Sequence, residues 1–181
     1  MAIVTSKFAS VTIIAVCQVA AMALWFSASA VIPALVKEYG ISGFAQAALT
    51  SGVQAGFVLG CLASALLGLA DRIDPRRLFA VSAFVGAAAN ALLLVVDPAS
   101  FAAPLLRVVT GACMAGVYPI GMKLASTWAD GDMGLMVGIL VGALTLGSAS
   151  PHLFNAFGGV EWRIPLAVAS ISALGAAALI G

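Results

Sequence analysis

Long apolar runs broken by short polar clusters dominate the chain. Between the charge clusters and the Gly/Pro turns lie six stretches long enough to cross a bilayer as helices, which takes about 20 mostly apolar residues each. They cover residues 8–36, 45–70, 78–96, 101–128, 133–157 and 162–181. The breaks are polar or turn-forming: Lys37-Glu38-Tyr39-Gly40, then Asp71-Arg72-Ile73-Asp74-Pro75-Arg76-Arg77, then Asp97-Pro98, then Ala129-Asp130-Gly131-Asp132. The last stretch is still apolar at Gly181, so the chain reads as stopping in mid-helix. The pattern predicts an all-α membrane protein with six transmembrane helices.

Composition removes the soluble alternative. Of 181 residues, 63% are hydrophobic and 8% charged, whereas a soluble domain is roughly half apolar and about a quarter charged. Lys7, an apolar run and Ala28-Ser29-Ala30 mimic a cleaved signal peptide. The run continues through Val31 to Val36, however, and five further spans follow, so the first segment reads as a retained helix. A net charge of +1 leaves no basic stripe for nucleic acid. Cys17, Cys61 and Cys113 lie far apart in apolar runs and His152 has no close acidic or cysteine partner, so no metal or cofactor is expected. No nucleophile elbow, HExxH helix or phosphate loop is present, which speaks against an enzyme.

Lys and Arg near the span ends set the expected orientation. With the N-terminus inside, the inner side carries Lys7, Arg72, Arg76, Arg77 and Lys123, and the outer side Lys37 and Arg163. Six spans then return the C-terminus to the cytoplasm. Tyr39, Trp162 and Trp128 fall where interfacial aromatic anchors belong.

The chain also matches itself at an offset of 86 residues. Val31-Ile32-Pro33 with Lys37 falls on Val117-Tyr118-Pro119 with Lys123, and Gly52, Gly56 and Arg77 fall on Gly138, Gly142 and Arg163. Because the offset spans three helices, the second copy (about 101–181) inserts upside down relative to the first (about 8–96). Inverted repeats of this kind are typical of secondary transporters, which place their site near the bilayer midplane. Gly52-x-x-x-Gly56-x-x-x-Gly60 and Gly138-x-x-x-Gly142 each form a small-residue stripe that permits close helix approach. Pro33, Pro119 and Pro151 are expected to kink or interrupt their helices.

Two charged features stand out. Arg107 lies about one and a half turns into the fourth span, where an ionisable group is costly and marks a functional candidate. Thr110, Gly111, Met114 and Tyr118 follow it on one stripe; snorkelling to the outer interface is the alternative. Asp71 ends a helix whose dipole disfavours an anion, so a cation or another helix terminus is its expected partner, as in a latch.

These residues carry a resemblance. Gly68-Leu69-Ala70-Asp71-Arg72-Ile73-Asp74-Pro75-Arg76-Arg77 resembles the signature loop between helices two and three of the major facilitator superfamily, G-x-L-A-D-R-x-G-R-R. Arg107 with Gly111 is similar to the superfamily's fourth-helix motif, and Gly138, Gly147 and Pro151 to its Gly/Pro-rich fifth-helix motif. The loop departs from the pattern at Asp74 and Pro75, which replace a glycine-containing turn. Ser150, Phe154 and Asn155 depart from the fifth-helix motif. The stretch from Trp25 to Pro33 loosely resembles nitrate- and cyanate-type bacterial members. The second span lacks the Arg with which nitrate carriers hold their anion, so nitrate is not assigned.

The resemblance implies the N-terminal six-helix half of a twelve-helix fold in a bacterial inner membrane, with the C-terminal half absent. Asp71, Arg72, Arg76 and Arg77 would form the cytoplasmic gating loop. Arg107 and Gly111 would serve the cavity or proton coupling, and Gln18, Trp25 and Tyr118 would be candidate solute contacts. His152 beside Pro151 would titrate near neutral pH if wet. The expected partners are the bilayer, a small solute, a proton, and the missing half or a second copy. Two other readings stay open: a non-transporting truncated membrane protein and a six-helix homodimeric channel.

Overall fold

The computed structural model describes residues 6–156 and 161–181; the side chains of residues 143, 147, 148 and 150–156 also lie outside the description. The described residues form eight helices: α1 Lys7–Tyr39, α2 Gly43–Leu67, α3 Leu69–Arg72, α4 Pro75–Leu92, α5 Ala102–Met114, α6 Tyr118–Ser126, α7 Met133–Ala156 and α8 Arg163–Ile180. Their boundaries follow local chemistry. Ser6, Ser42 and Asp74 accept hydrogen bonds from the first-turn amides of α1, α2 and α4, and Pro75 opens α4 where its missing N–H costs nothing. Gly40 and Gly68 end α1 and α2 in the left-handed conformation, both at φ 62°.

Several sequence-based limits shift. The first helix continues to Tyr39, the second stops at Leu67, and Ala70 belongs to the one-turn α3. The third begins at Pro75 and gives way to turns after Leu92. The fourth span is not one helix. Tight turns at 115–117 separate α5 from α6, and Pro119 at the start of α6 cannot donate back into the preceding turn. Pro33, by contrast, lies inside an unbroken α1.

Among the described residues, four segments are long and apolar enough to cross a membrane: Lys7–Tyr39, Gly43–Leu67, Ala102–Ser126 and Arg163–Ile180. The α4 helix is not among them because Pro75, Arg76, Arg77 and Asn90 lower its mean hydropathy. The apolar part of α7 within the described residues is Met133–Leu146.

The helices pack as an arc in which α2 rests on α5, α5 on α4, α4 on α8, α8 on α1, and α1 on α7; α6 touches α1, α4 and α7. One buried cluster, with Ile14, Leu24, Phe79, Met114, Ile120 and Leu140, fills the middle and one end. A second, with Val31, Leu35, Leu49, Leu93, Trp162 and Leu166, fills the other. Large side chains such as Leu66, Phe84, Val95, Phe101 and Ile171 point outward. An apolar exterior of this extent belongs in lipid, and the chain is an all-helical integral membrane protein.

Candidate functional site

Arg107 is fully buried, and its guanidinium is spent on backbone carbonyls. Nε donates to Leu49 O of α2 at 3.2 Å, Nη1 to Leu24 O of α1 at 3.0 Å, and Nη2 to Trp25 O of α1. Nη1 also lies 3.5 Å from Asn90 Oδ1 of α4. Leu24 stands about 26 Å along α1 from Lys7, so the cation sits at mid-depth and does not snorkel. Among the described residues no carboxylate pairs with it. Carbonyl dipoles supply the counter-charge, and the planar five-donor fork of Arg suits several acceptors at once.

Asn90 extends this node. Its Oδ1 accepts from Ser27 Oγ at 2.9 Å, and its Nδ2 donates to Ser170 Oγ at 3.0 Å and Leu166 O at 3.2 Å. Together Arg107 and Asn90 tie α1, α2, α4, α5 and α8 into one body. In a dry interior such a network holds only if its polar atoms are satisfied, and here they are. Gly111, one turn beyond Arg107, lets α5 meet α2 backbone to backbone, because the Val53 carbonyl and the Phe57 amide occupy the place of a Cβ. Trp25 is half-buried, with its ring edge-on to Phe57 at 5.1 Å and 72°.

Gln18 behaves differently. It is fully buried, yet neither Oε1 nor Nε2 has a partner. The side chain lies against Gly121 of α6, where any Cβ would collide with Gln18 Oε1. Gly121 is three residues past Tyr118, a partly buried side chain that opens α6 just after the helix break. An unpartnered buried amide costs about 1–3 kcal/mol. It is equipped to accept one and donate two hydrogen bonds to a molecule that displaces its apolar neighbours.

At the end carrying the N-terminus, Asp71 meets the partner that its place at a helix end called for. Lys123 Nζ of α6 lies 2.8 Å from Asp71 Oδ1 and donates to Ala70 O at 2.6 Å. The hydrogen bond and charge of Lys123 hold the Asp71 carboxyl below the usual carboxylate range. Arg72, Arg76 and Arg77 are exposed and make no ion pair among the described residues. Asp74 accepts from the backbone amides of Arg76 and Arg77. A second pair, Lys7 to Asp132 at 2.7 Å, ties the start of α1 to the α6–α7 turn and lowers the Asp132 carboxyl. At the opposite end Tyr39 packs edge-on against Trp162, and the Arg163 guanidinium stacks over Trp162 at 4.5 Å.

Sequence reasoning missed Ser27, Ser170 and the Lys7–Asp132 pair. A hydroxyl within an apolar run is the only mark the two serines leave, and Asp132 looks like any turn aspartate. On α7, Gly138 and Gly142 face open space, with no atom within 4 Å of a Cβ. They line a groove of about 940 Å³ with Phe8, Thr12, Val16 and Val19 of α1. Gly147, Pro151 and His152 fall on α7, but their side chains and surroundings lie outside the description.

Comparison with known proteins gives one match. The family model described as Major Facilitator Superfamily covers residues 14–181. No curated protein and no solved structure matches the chain, and nothing found supports the narrower likeness to nitrate- and cyanate-type members. The match takes in the Asp71–Arg77 loop and the Arg107 node: the chain belongs to the Major Facilitator Superfamily of membrane transporters.

Proposed function

We propose that the chain is the N-terminal six-helix half of a secondary active transporter that moves a small solute by alternating access. The reading includes two inverted three-helix repeats and proton coupling. It also includes a bacterial plasma membrane with both termini cytoplasmic. One observation carries it: beside a body cross-linked at its centre by Arg107 and Asn90 runs an apolar groove along α1 and α7, where a Cβ at Gly138 or Gly142 would meet nothing within 4 Å. A rigid half with one open face is what rocking against a second half requires. Gln18, Trp25 and Tyr118 are the proposed solute contacts. Arg107 holds the middle of α1 in place between them and serves coupling through that tether, and Asp71 with Arg72, Arg76 and Arg77 forms the gate.

The test is solute flux in vesicles holding the protein together with a C-terminal half, driven by a pH gradient. Wild type accumulates or expels the solute, and a protonophore abolishes the flux. Asp71→Asn stops transport while the protein stays in the membrane. Absence of flux across a panel of small solutes, with no effect of Asp71→Asn, overturns the transporter reading in favour of a non-transporting protein. Flux by the chain alone favours the channel-like homodimer.

A further inference from the structure

The Arg107–Asn90 node binds α1, α2, α4, α5 and α8, and α6 takes no part in it. This half-helix of 9 residues joins the bundle through a turn rather than as a continuation of α5. At the turn the amides of Gly116 and Val117 bond back three residues, to Cys113 O at 2.9 Å and Met114 O at 3.1 Å. Such tightened bonding in the middle of a helical span often marks a hinge. The pivot itself is fixed, because Ser82 Oγ of α4 occupies the place of a Cβ on Gly116.

Polar groups at the hinge and beside α6 stay unsatisfied. Pro119 has no N–H to return to the Ala115 carbonyl. Among the described residues no hydrogen bond reaches the carbonyl of Ala115 or of Gly116, and both residues are buried. Gln18, about 16 Å along α1 from Lys7, lies against Gly121 of α6 with both ends of its amide unpartnered. In a bilayer such groups are costly unless neighbours or water satisfy them. With α6 packed on α1 that relief is withheld, so the closed position is strained. Two things oppose the strain: the apolar packing of Ile120 and Ala125, and the far end of α6, where Lys123 donates to Ala70 O at 2.6 Å and Asp71 Oδ1 at 2.8 Å. That ion pair is exposed, hence weak and easily released.

We propose that α6 is a hinged segment that swings away from α1 about the 115–117 turn and lets water reach Gln18, with the Lys123–Asp71 pair as its catch. Water in the opened gap satisfies the amide, which the closed position leaves bare. The inference does not rest on the transport reading: it concerns one helix moving within this bundle, not the bundle moving against a second half.

Hydrogen–deuterium exchange of the full chain in lipid nanodiscs tests it, read at residues 118–126 with α5 and α8 as references. Local opening sets the exchange of the amides that it exposes. Gln18→Met keeps the length of the side chain and removes the amide. The strain of the closed position falls, and exchange in α6 slows about fivefold or more. Lys123→Met releases the catch and speeds α6 exchange, by up to about fivefold for an exposed pair. In both variants α5 and α8 keep their wild-type rates. Faster α6 exchange in Gln18→Met overturns the proposal, because Gln18 then stabilises the closed position. Unchanged α6 exchange in either variant overturns it too, as does a change that α5 and α8 share.

Discussion

In α2, Gly52, Gly56 and Gly60 press against α5 so closely that a Cβ at Gly56 would enter the Val108 carbonyl and one at Gly60 would reach Ala112. In α7, Gly138 and Gly142 lie 86 residues after Gly52 and Gly56, and a Cβ at either would meet nothing within 4 Å. The same pattern of small residues thus marks a finished contact in one helix and an open face in the other. A small-residue stripe permits close approach; it does not supply the neighbour. The α2 stripe lies against Val108 and Ala112, and Gly111 of α5 lies in turn against the Val53 carbonyl and Phe57 amide, so the two backbones fit together. The α7 stripe sits beside α1 side chains that splay around it and leave the groove.

The sharpest way to break this contrast is to add bulk to the closed side. Gly56→Leu or Gly111→Leu sets a side chain into backbone that cannot swing away. Each should cost about 3 kcal/mol or more, the upper end of overpacking. Loss of the monodisperse species in size-exclusion chromatography and a collapsed melting transition would register it. Arg107→Leu comes next. It strips the charged bonds from Leu24, Trp25 and Leu49, at about 1.5–3 kcal/mol by thermal melting, and Arg107→Lys should not rescue it, because a point charge cannot serve all three carbonyls. Asn90→Leu should cost about 1 kcal/mol, in keeping with interhelical hydrogen bonds in lipid.

Asp71→Asn should leave the melting temperature of the chain unchanged, since its pair with Lys123 is exposed. The pair has its own pH signature. Lys123 lowers the folded carboxyl value, so its contribution is complete above the ordinary value of about 3.9 and is lost only as pH falls through the lower folded value. A carboxyl carbon titration by NMR should therefore show Asp71 ionised throughout pH 5–8. The smallest effect belongs to the open side: Gly142→Ala should shift stability by less than about 0.5 kcal/mol. If Gly142→Ala destabilises the chain as strongly as Gly56→Leu, the open face is closed in the folded protein and the contrast disappears.

Much of the fold was legible before any contact was known. Hydropathy and polar breaks located the apolar stretches, but not the caps Ser6, Ser42, Asp74 and Gly68 as helix ends, which is why limits such as Ala70 and Leu78 shifted. The interruption expected at Pro119 is present, as the turns at 115–117 between α5 and α6, whereas the one expected at Pro33 is not, because α1 runs through it unbroken. Among the candidate site residues, Arg107 was found because a charge in an apolar run is conspicuous. Ser27 and Ser170 carry no such signal, since a lone serine in a membrane helix usually bonds its own backbone, as Ser170 also does to Leu166 O.

By itself, then, the sequence determined the membrane class, the helical segments, the charged loop and the family resemblance. Each depends on residues near one another along the chain, where hydropathy, capping and motif spacing act. Only the tertiary structure decided that Arg107 bonds α1 carbonyls more than 80 positions away, that Asp71 pairs with Lys123, and that Gln18 is buried without a partner. Those outcomes turn on how each helix is rotated about its axis and which neighbour it meets. A rotation of one residue, about 100°, replaces every partner on a face while leaving composition and spacing unchanged.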